Sequence, residues 1–386
     1  MKHFISAKYR CFVLFIEIFT VILLLPVIYN YIPVNKDAST TFHISSSNID
    51  DIVSSLEKND YGVTFIDKLM LRLIRIPEKG WYHVDHDEYG RLLFFANMYN
   101  KKTEHTMNIV VYAGETSEEI LTRLANDMKL DRKKLEEVYK TFSQFGASDI
   151  FAKRYTIARN ADEKSTLLHL FSLSNDILLK FKMDNFTQKP NNSTLRVLLT
   201  IASIIQKESN SAKEMPLISS VIYNRLDKGM RLQMDGTLNY GKNSHTIVTP
   251  ERIKKDTSYY NTYKYKGLPP APLCSITQDA LYAAMHPAKS DYLYFMLKSD
   301  GTHTFASNYE KHLKNIKAFR LYQKEKKKQQ ALEKIAQKEK EAQEKKAQDE
   351  KKEEEKKALL KKAKKKAEKT TQEERVVKDL NTSQLQ

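Results

Sequence analysis

The sequence predicts a mixed α+β protein behind one N-terminal transmembrane helix, and three observations support this class. Basic residues Lys2, Lys8 and Arg10 precede an apolar run over residues 11–34. Short runs with strand character then alternate with amphipathic helical segments through the middle of the chain. A repetitive stretch rich in Lys and Glu occupies residues 323–386. The chain therefore divides into an anchor, an α+β body and a charged tail that is helical or disordered.

The composition excludes several classes of function. The 386 residues contain 64 Lys and Arg against 48 Asp and Glu, a formal net charge of +16. Close to half of the excess lies in the tail, and no zinc finger, RNP signature or Walker loop accompanies it, so we expect no nucleic-acid partner. Cys11 and Cys274 allow no disulfide framework and no Cys-x-x-Cys site. The histidines fit no zinc spacing, so we expect no metal and no cofactor.

The apolar run at residues 11–34 is long enough to cross about 30 Å of hydrocarbon. Glu17 and Pro26 interrupt it, but Glu17 lies near one end, where a carboxyl group can reach the interface. A cleaved signal peptide is the alternative; it requires a shorter core and a small-x-small site, which the sequence lacks. The positive charges before the run place residues 1–10 in the cytoplasm and the remainder outside it.

A polar linker is expected at residues 35–47, followed by an N-terminal α+β region over residues 48–145. Two amphipathic helices are expected in "IDDIVSSLEKN" and "FIDKLMLRLIRI", and a short strand in "GWYHV". The lone tryptophan, Trp81, is interpreted as a core residue.

Residues 105–142 predict a strand, a turn at Gly114 and two helices. Thr116 or Ser117 caps the first helix with Glu119 near the capping-box position, and the second helix starts after Asp131. This order resembles a LysM-like module, a fold that contacts cell-wall sugars in its family. A plain βαα structural unit is the alternative.

The segment "LLTIASIIQKES" predicts a buried helix that ends in a carboxylate. Ile201, Ile204 and Ile205 precede Glu208 by seven, four and three residues, so Glu208 shares their face. Removal from water favours the neutral form of a carboxyl group, which can then act as a general acid. The alternative is that the helix has ended before Glu208, leaving the carboxylate solvated or paired with Lys207.

A second helix is expected after Glu208, starting at Pro216 and ending before Gly229, which fits the C′ position. The stretch "MRLQMDGTLNYG" then leaves the helix.

Five ordered blocks resemble the MltG-type (YceG-like) endolytic murein transglycosylases of bacteria. They read "IIQKES", "VIYNRLDKGMRLQMDGTLNYG", "YYNTYKYKGLPPAPL", "ALYAAMHPAKSDYLYF" and "GTHTFASNYEKH". The resemblance is near-continuous over residues 194–313 and weaker over residues 80–142. It implies an α+β YceG-like catalytic domain, to which we assign residues 146–322. The family usually has a proline after the Asp of the "MDGT" block, where this chain has Gly236.

The resemblance implies that Glu208 is the catalytic acid of a lytic transglycosylase. The implied reaction cuts glycan strands between N-acetylmuramic acid and N-acetylglucosamine and leaves 1,6-anhydro ends. Gln233 and Asp235 are expected to hold sugar hydroxyl or acetamido groups. Asn261 is expected to hydrogen-bond an N-acetyl carbonyl, Tyr263 to stack on a sugar, and His303 to contact substrate.

The expected partners are peptidoglycan glycan strands, the bacterial inner (cytoplasmic) membrane and, at that membrane, peptidoglycan synthases. The expected location is a single-pass membrane protein whose catalytic domain faces the extracytoplasmic side. A non-catalytic cell-wall-binding or scaffold protein that kept the fold is the alternative function. The carboxylate at position 208 favours the enzyme.

Overall fold

The computed structural model describes residues 2–34, 38–84 and 90–382. Its first element is helix α1 (Lys2–Asn30), of which the section Lys8–Asn30 is long and apolar enough to cross a membrane. The large apolar side chains between Phe12 and Ile28 are exposed, as expected for a helix surrounded by lipid.

The first module after the anchor is a small α+β unit around its own apolar core. Its elements are β1 (Thr41–Ile44), α2 (Ile49–Lys58), α3 (Phe65–Leu73), β2 (Gly80–His83) and α4 (Arg91–Asn97). The strands pair antiparallel, with Phe42 opposite Tyr82. Both rings are fully buried and stack at 6.1 Å.

Strand β1 lies inside the segment that was predicted to be a linker. Phe42 and Ile44 are fully buried on its inner face. The short segment is a strand because it pairs with β2. Residues 35–37, also in the predicted linker, lie outside the described residues. The helices predicted from "IDDIVSSLEKN" and "FIDKLMLRLIRI" are confirmed as α2 and α3, and the "GWYHV" strand as β2.

The second module is a βααβ unit. It consists of β3 (Thr106–Val110), α5 (Ser117–Met128), α6 (Arg132–Phe142) and β4 (Arg154–Ala158), and its two strands pair antiparallel. The capping box at the start of α5 is confirmed for Thr116 and Glu119, and Asp131 caps α6. The closing strand β4 lies beyond residue 145, where the sequence placed the end of this region.

Helix α7 (Glu163–Asn185) joins two cores. Leu167 and Leu170, in its first half, are buried with the βααβ unit. Leu178 and Phe181, in its second half, are buried with the helices that follow.

The third core is mainly helical and is built around α8 (Asn192–Glu208). Around it lie α9 (Met215–Asp227), α10 (Pro250–Lys255) and α11 (Gln278–Met285). Helix α8 begins at Asn192, and the side chain of Asn191 caps it by accepting a hydrogen bond from the Thr194 amide at 2.8 Å. Ten of its residues are buried, as the apolar sequence predicts.

Strands β5 (Tyr294–Leu297) and β6 (His303–Ala306) form the third two-stranded sheet, and helix α12 (Tyr309–Thr382) follows. The chain divides into two compact units. The first contains Met1–Phe295 and Phe305–Asn308, and the second contains Met296–Thr304 and Tyr309–Gln386. In the second unit, α12 runs through the charged tail, and its described side chains are mostly exposed.

Candidate active site

Glu208 is the last residue of α8, one turn beyond the buried Ile204 and Ile205. The alternative interpretation required the helix to end before Glu208, and it does not. The Glu208 side chain is half-buried. Burial raises the pKa of Glu208 to about 7, and the nearby charge of Asp235 acts in the same direction.

The backbone of the next loop donates a hydrogen bond to the Glu208 carboxyl group. The amide of Gly236 donates to Oε1 at 3.0 Å and holds the pKa lower than burial alone would set it. Lys207 does not neutralise Glu208, because its ammonium group donates to the hydroxyl of Ser244 at 2.8 Å. A carboxyl group in this environment can hold a proton near neutral pH and can also release it.

Gly236 fits where it is because it has no side chain. A Cβ atom there would lie 2.8 Å from Oε1 of Glu208 and 2.7 Å from Cβ of Lys207. Both distances are below ordinary contact, and the Lys207 atom is attached directly to the backbone of α8. The glycine therefore allows its own amide to approach the carboxyl group.

The end of α8 is fixed by the segment that leads into α11. Gln206 is buried, and its Oε1 accepts from the amide and hydroxyl of Thr277 at 3.0 and 2.8 Å. Ser203 accepts from the Leu273 amide at 3.0 Å. These bonds hold the last two turns of α8 and so fix the position from which Glu208 projects.

Two loops meet in front of Glu208. The amides of Gln233 and Met234 donate to the carbonyl and hydroxyl oxygens of Thr262, each at 3.2 Å. The Thr237 and Thr262 hydroxyls lie 2.9 Å apart, and both residues are buried. The "MDGT" and "YNTY" segments are thus joined into one surface, although Asp235 and Tyr263 are 28 residues apart in the sequence.

Asp235 and Tyr263 come from these two loops and are in direct contact. The Tyr263 hydroxyl donates to Asp235 Oδ1 at 2.6 Å. Burial raises the pKa of Tyr263, and the negative charges of Asp235 and Glu208 raise it further. Tyr263 therefore stays protonated and can keep donating to Asp235. The structure brings Glu208, Asp235 and Tyr263 together, as the motif positions suggested.

Gln233 lies beside this group on a strained backbone. Its φ is +51°, in the left-handed region that non-glycine residues rarely adopt. Arg225 of α9 supports it: the buried guanidinium donates to the carbonyl oxygen of Leu232 at 2.7 Å and to Gln233 Oε1 at 3.4 Å. The exposed Gln233 side chain remains a predicted substrate contact.

The predicted role of Asn261 needs correction. Its side chain is fully buried, and its Nδ2 donates to the carbonyl oxygens of Ile253 and Asp256 at 2.8 and 2.9 Å. Its Oδ1 accepts from the Tyr263 amide at 3.1 Å. The amide group of Asn261 is therefore used to shape the loop that carries Tyr263, and it does not face a substrate.

His303, the remaining predicted contact, is the first residue of β6 and belongs to the second compact unit. Its role stays a prediction. In the part of the chain that the structure describes, no three His, Cys, Asp or Glu side chains converge as a metal site requires.

Sequence reasoning missed two residues that shape this site. One is Gly236, whose amide binds Glu208; its signal was the glycine at a position where the resembled family usually has proline. The other is Arg225 of α9, whose pKa is lowered by burial. Its burial is a property of the fold, and the sequence carried no signal for it.

Comparison with known proteins identifies related sequences. A model of the YceG-like family matches residues 44–318. A Bacillus subtilis protein named endolytic murein transglycosylase is 28% identical over 316 residues, covering 73% of this chain and 86% of that protein. A Streptococcus pneumoniae protein of the same name is 39% identical over 136 residues, only 25% of its own length. A crystal structure of a YceG-like protein from Listeria monocytogenes covers 72% of this chain at 25% identity, with a TM-score of 0.46.

Proposed function

The chain belongs to the YceG-like family, and on that premise we propose that it is a membrane-anchored endolytic murein transglycosylase. Its relatives in Bacillus subtilis and Streptococcus pneumoniae carry that name. The observation that carries the proposal is the environment of Glu208: a largely desolvated carboxyl group with a pKa of about 7 at the end of a rigid helix.

In the proposed reaction Glu208 is first an acid and then a base. Its proton passes to the glycosidic oxygen as the bond between that oxygen and C1 of N-acetylmuramic acid breaks. The resulting carboxylate takes the proton of the muramic 6-hydroxyl while O6 forms a bond to C1. The products are an N-acetylglucosamine 4-hydroxyl and a 1,6-anhydro end, and Glu208 is again protonated. No water is consumed.

The geometry around Glu208 suits a mechanism with one proton-transfer group. Ordinary glycosidases use two carboxylates about 5–10 Å apart, one of which activates water or attacks the sugar. Here the nucleophile is a hydroxyl group of the substrate. Asp235, engaged by Tyr263, is proposed to hold a sugar hydroxyl or acetamido group. The Gly236 amide stabilises the Glu208 carboxylate and so helps Glu208 to release its proton in the first step.

Analysis of the glycan ends tests the proposal. The full chain, reconstituted in nanodiscs, is incubated with uncrosslinked glycan strands, and the new ends are identified by mass spectrometry. Anhydro ends, lighter than hydrolysed ends by one water, are expected. Glu208→Gln should abolish them, whereas Glu251→Gln, an exposed glutamate on α10, should not. Hydrolysed ends, or anhydro ends made equally by Glu208→Gln, would refute the mechanism.

The alternative is a wall-binding or scaffold protein without catalysis. It gives no reason to keep a carboxyl group in a site that raises its pKa by burial. If the wild-type chain binds glycan strands tightly but produces no new ends, the alternative is correct.

We further propose that α1 remains uncleaved and that the modules after it face the extracytoplasmic side. The basic residues before the apolar run support this orientation. Protease added to intact spheroplasts should digest the bulk of the chain. Full protection of the catalytic domain from the protease would show that the topology is the opposite of the proposed one.

The βααβ unit, β3 to β4, is proposed to act as a LysM-like glycan contact, on the support of its element order and its position before the catalytic core. Peptidoglycan synthases, which supply new strands at the same membrane, are proposed partners. A pull-down on insoluble glycan tests the proposed glycan contact. The full chain, with α1 and the catalytic core intact, is compared before and after mutation of exposed residues of the βααβ unit.

A further inference from the structure

Helix α3 exposes a row of apolar side chains on its outer face. Phe65, Leu69 and Leu73 follow one another at four-residue intervals and so lie along one face. This face points outward: Phe65 is 79% exposed and Leu73 is 75% exposed. On the opposite face Asp67 and Leu71 are buried, so the acid points inward and the apolar side chains point out.

Other apolar side chains near this face are exposed too. They are Ile66 of α3, Ile76 after the end of α3, and Leu93 of α4. Lys68 and Arg72 lie along one flank of the same helix face, four residues apart. An apolar stripe with basic residues on its border is typical of helices that lie in the interfacial region of a membrane.

The buried side of α3 is attached to the end of the anchor. The Tyr29 hydroxyl, in the last turn of α1, donates to Asp67. Arg91 of α4 donates to Asp67 at 3.0 Å and also to the carbonyl oxygen of Pro33 at 3.2 Å. Asn30 accepts from the Leu92 amide at 3.0 Å. These contacts fix α3 beside the residues where the chain leaves α1.

The length of α1 indicates where α3 lies relative to the bilayer. The 23 residues of Lys8–Asn30 span about 34 Å at about 1.5 Å per residue, slightly more than the hydrocarbon core of about 30 Å. The last turn of α1 therefore lies at the surface of the bilayer, and α3 touches that turn. Tyr31, immediately after α1, is also exposed.

We propose that α3 is an interfacial helix that lies in the outer leaflet of the membrane spanned by α1, with its apolar face in the lipid and with Lys68 and Arg72 among anionic headgroups. The inference rests on the proposed anchor. The bilayer is favoured over a protein partner because the face adjoins the anchor and because its flanking charges are basic.

Depth-dependent fluorescence quenching tests the inference on the full chain in vesicles that contain anionic lipid. Cys11 is replaced by Ser, whereas the buried Cys274, whose pKa is raised to about 12 by burial, stays unreactive. A bimane label is placed on Leu73→Cys or, as the control, on Met183→Cys, which is 81% exposed on α7. Lipids with a nitroxide near the headgroup quench from the membrane, and iodide quenches from the water.

We expect lipid nitroxide to quench the label at position 73 several-fold more than the label at 183, with iodide showing the reverse order. Equal quenching of both labels by iodide, with none by lipid, would overturn the inference. Protection of position 73 from both quenchers would also overturn it, because a protein would then cover the face. Vesicle flotation separates the two proposals: a chain that does not float refutes the anchor itself.

A charge reversal tests the role of the basic flank. Arg72→Glu should reduce lipid quenching at position 73 in anionic vesicles. Lys133→Glu makes the same charge change at an exposed position on α6 and should leave the quenching unchanged. An equal effect of both substitutions would show that net charge, and not the α3 flank, attracts the membrane.

Discussion

Replacing Glu208 by glutamine should stabilise the folded chain at alkaline pH and leave its stability in acid nearly unchanged. Glutamine keeps the shape of the side chain and an oxygen that can accept from the Gly236 amide. It carries no charge at any pH, so it removes the cost of holding a carboxylate in a desolvated site.

The magnitude follows from the pKa of Glu208, which is about 7 in the folded chain against an ordinary value of 4.5. Below pH 4.5 both states are protonated. As pH rises from 4.5 to about 7 the folded state holds a proton that the unfolded state has lost, so wild-type stability falls. At 1.36 kcal/mol per pKa unit, the loss is complete above pH 7 and amounts to about 3 kcal/mol.

The assay is denaturant unfolding of the full chain in detergent, followed by hydrogen exchange in α8 so that opening of the catalytic core is observed directly. Wild type, Glu208→Gln and the exposed control Glu251→Gln are compared at pH 4 and pH 8.5. The Glu208→Gln variant should gain stability only at pH 8.5. A gain of equal size at both pH values, or a loss at pH 8.5, would refute the reasoning, because neither follows from an ionisation cost.

Three further outcomes follow from the same contacts. Tyr263→Phe removes the hydrogen bond from the Tyr263 hydroxyl to Asp235. Hydrogen bonds to charged groups contribute about 1.5–3 kcal/mol, so kcat/KM for glycan cleavage should fall about tenfold or more. Circular dichroism should show that the fold is kept. Gly236→Ala should displace Glu208 and weaken its amide bond, so activity should fall and the alkaline limb of the pH–rate profile should move to higher pH; an unchanged profile would contradict this. A chain ending at Lys324 should keep most of its cleavage activity in the glycan assay, because the tail lacks side chains suited to sugar recognition.

The local features of the chain could be predicted where the signal lies within a few residues. The capping box of Thr116 and Glu119 and the apolar face of α8 follow from spacings of three or four positions, and the end of α9 just before Gly229 follows from that glycine. Strand β1 was missed because four residues inside a polar stretch give no period. Only its pairing with β2 across about 40 residues makes it a strand.

The position of Glu208 at the end of a buried helix was predictable, but its supporting contacts were not. The helix period placed Glu208 on the face of Ile201 and Ile204, and its role as the acid stays a proposal drawn from the motif. The binding role given to Asn261 was wrong because its chemistry suits a sugar amide equally well, and only the fold shows that Ile253 and Asp256 already occupy its donors. The amphipathic pattern of α3 predicted a helix correctly, but a pattern alone does not tell whether the apolar face meets a core or the outside.

The helix shared by two cores has a consequence for how a polymer is handled. The 23 residues of α7 make a rod about 34 Å long at about 1.5 Å per residue. A hinge needs residues free to change their backbone angles, and here the residues between the two buried halves are helical. Under the proposed glycan contact of the βααβ unit, α7 therefore fixes the distance between that contact and Glu208.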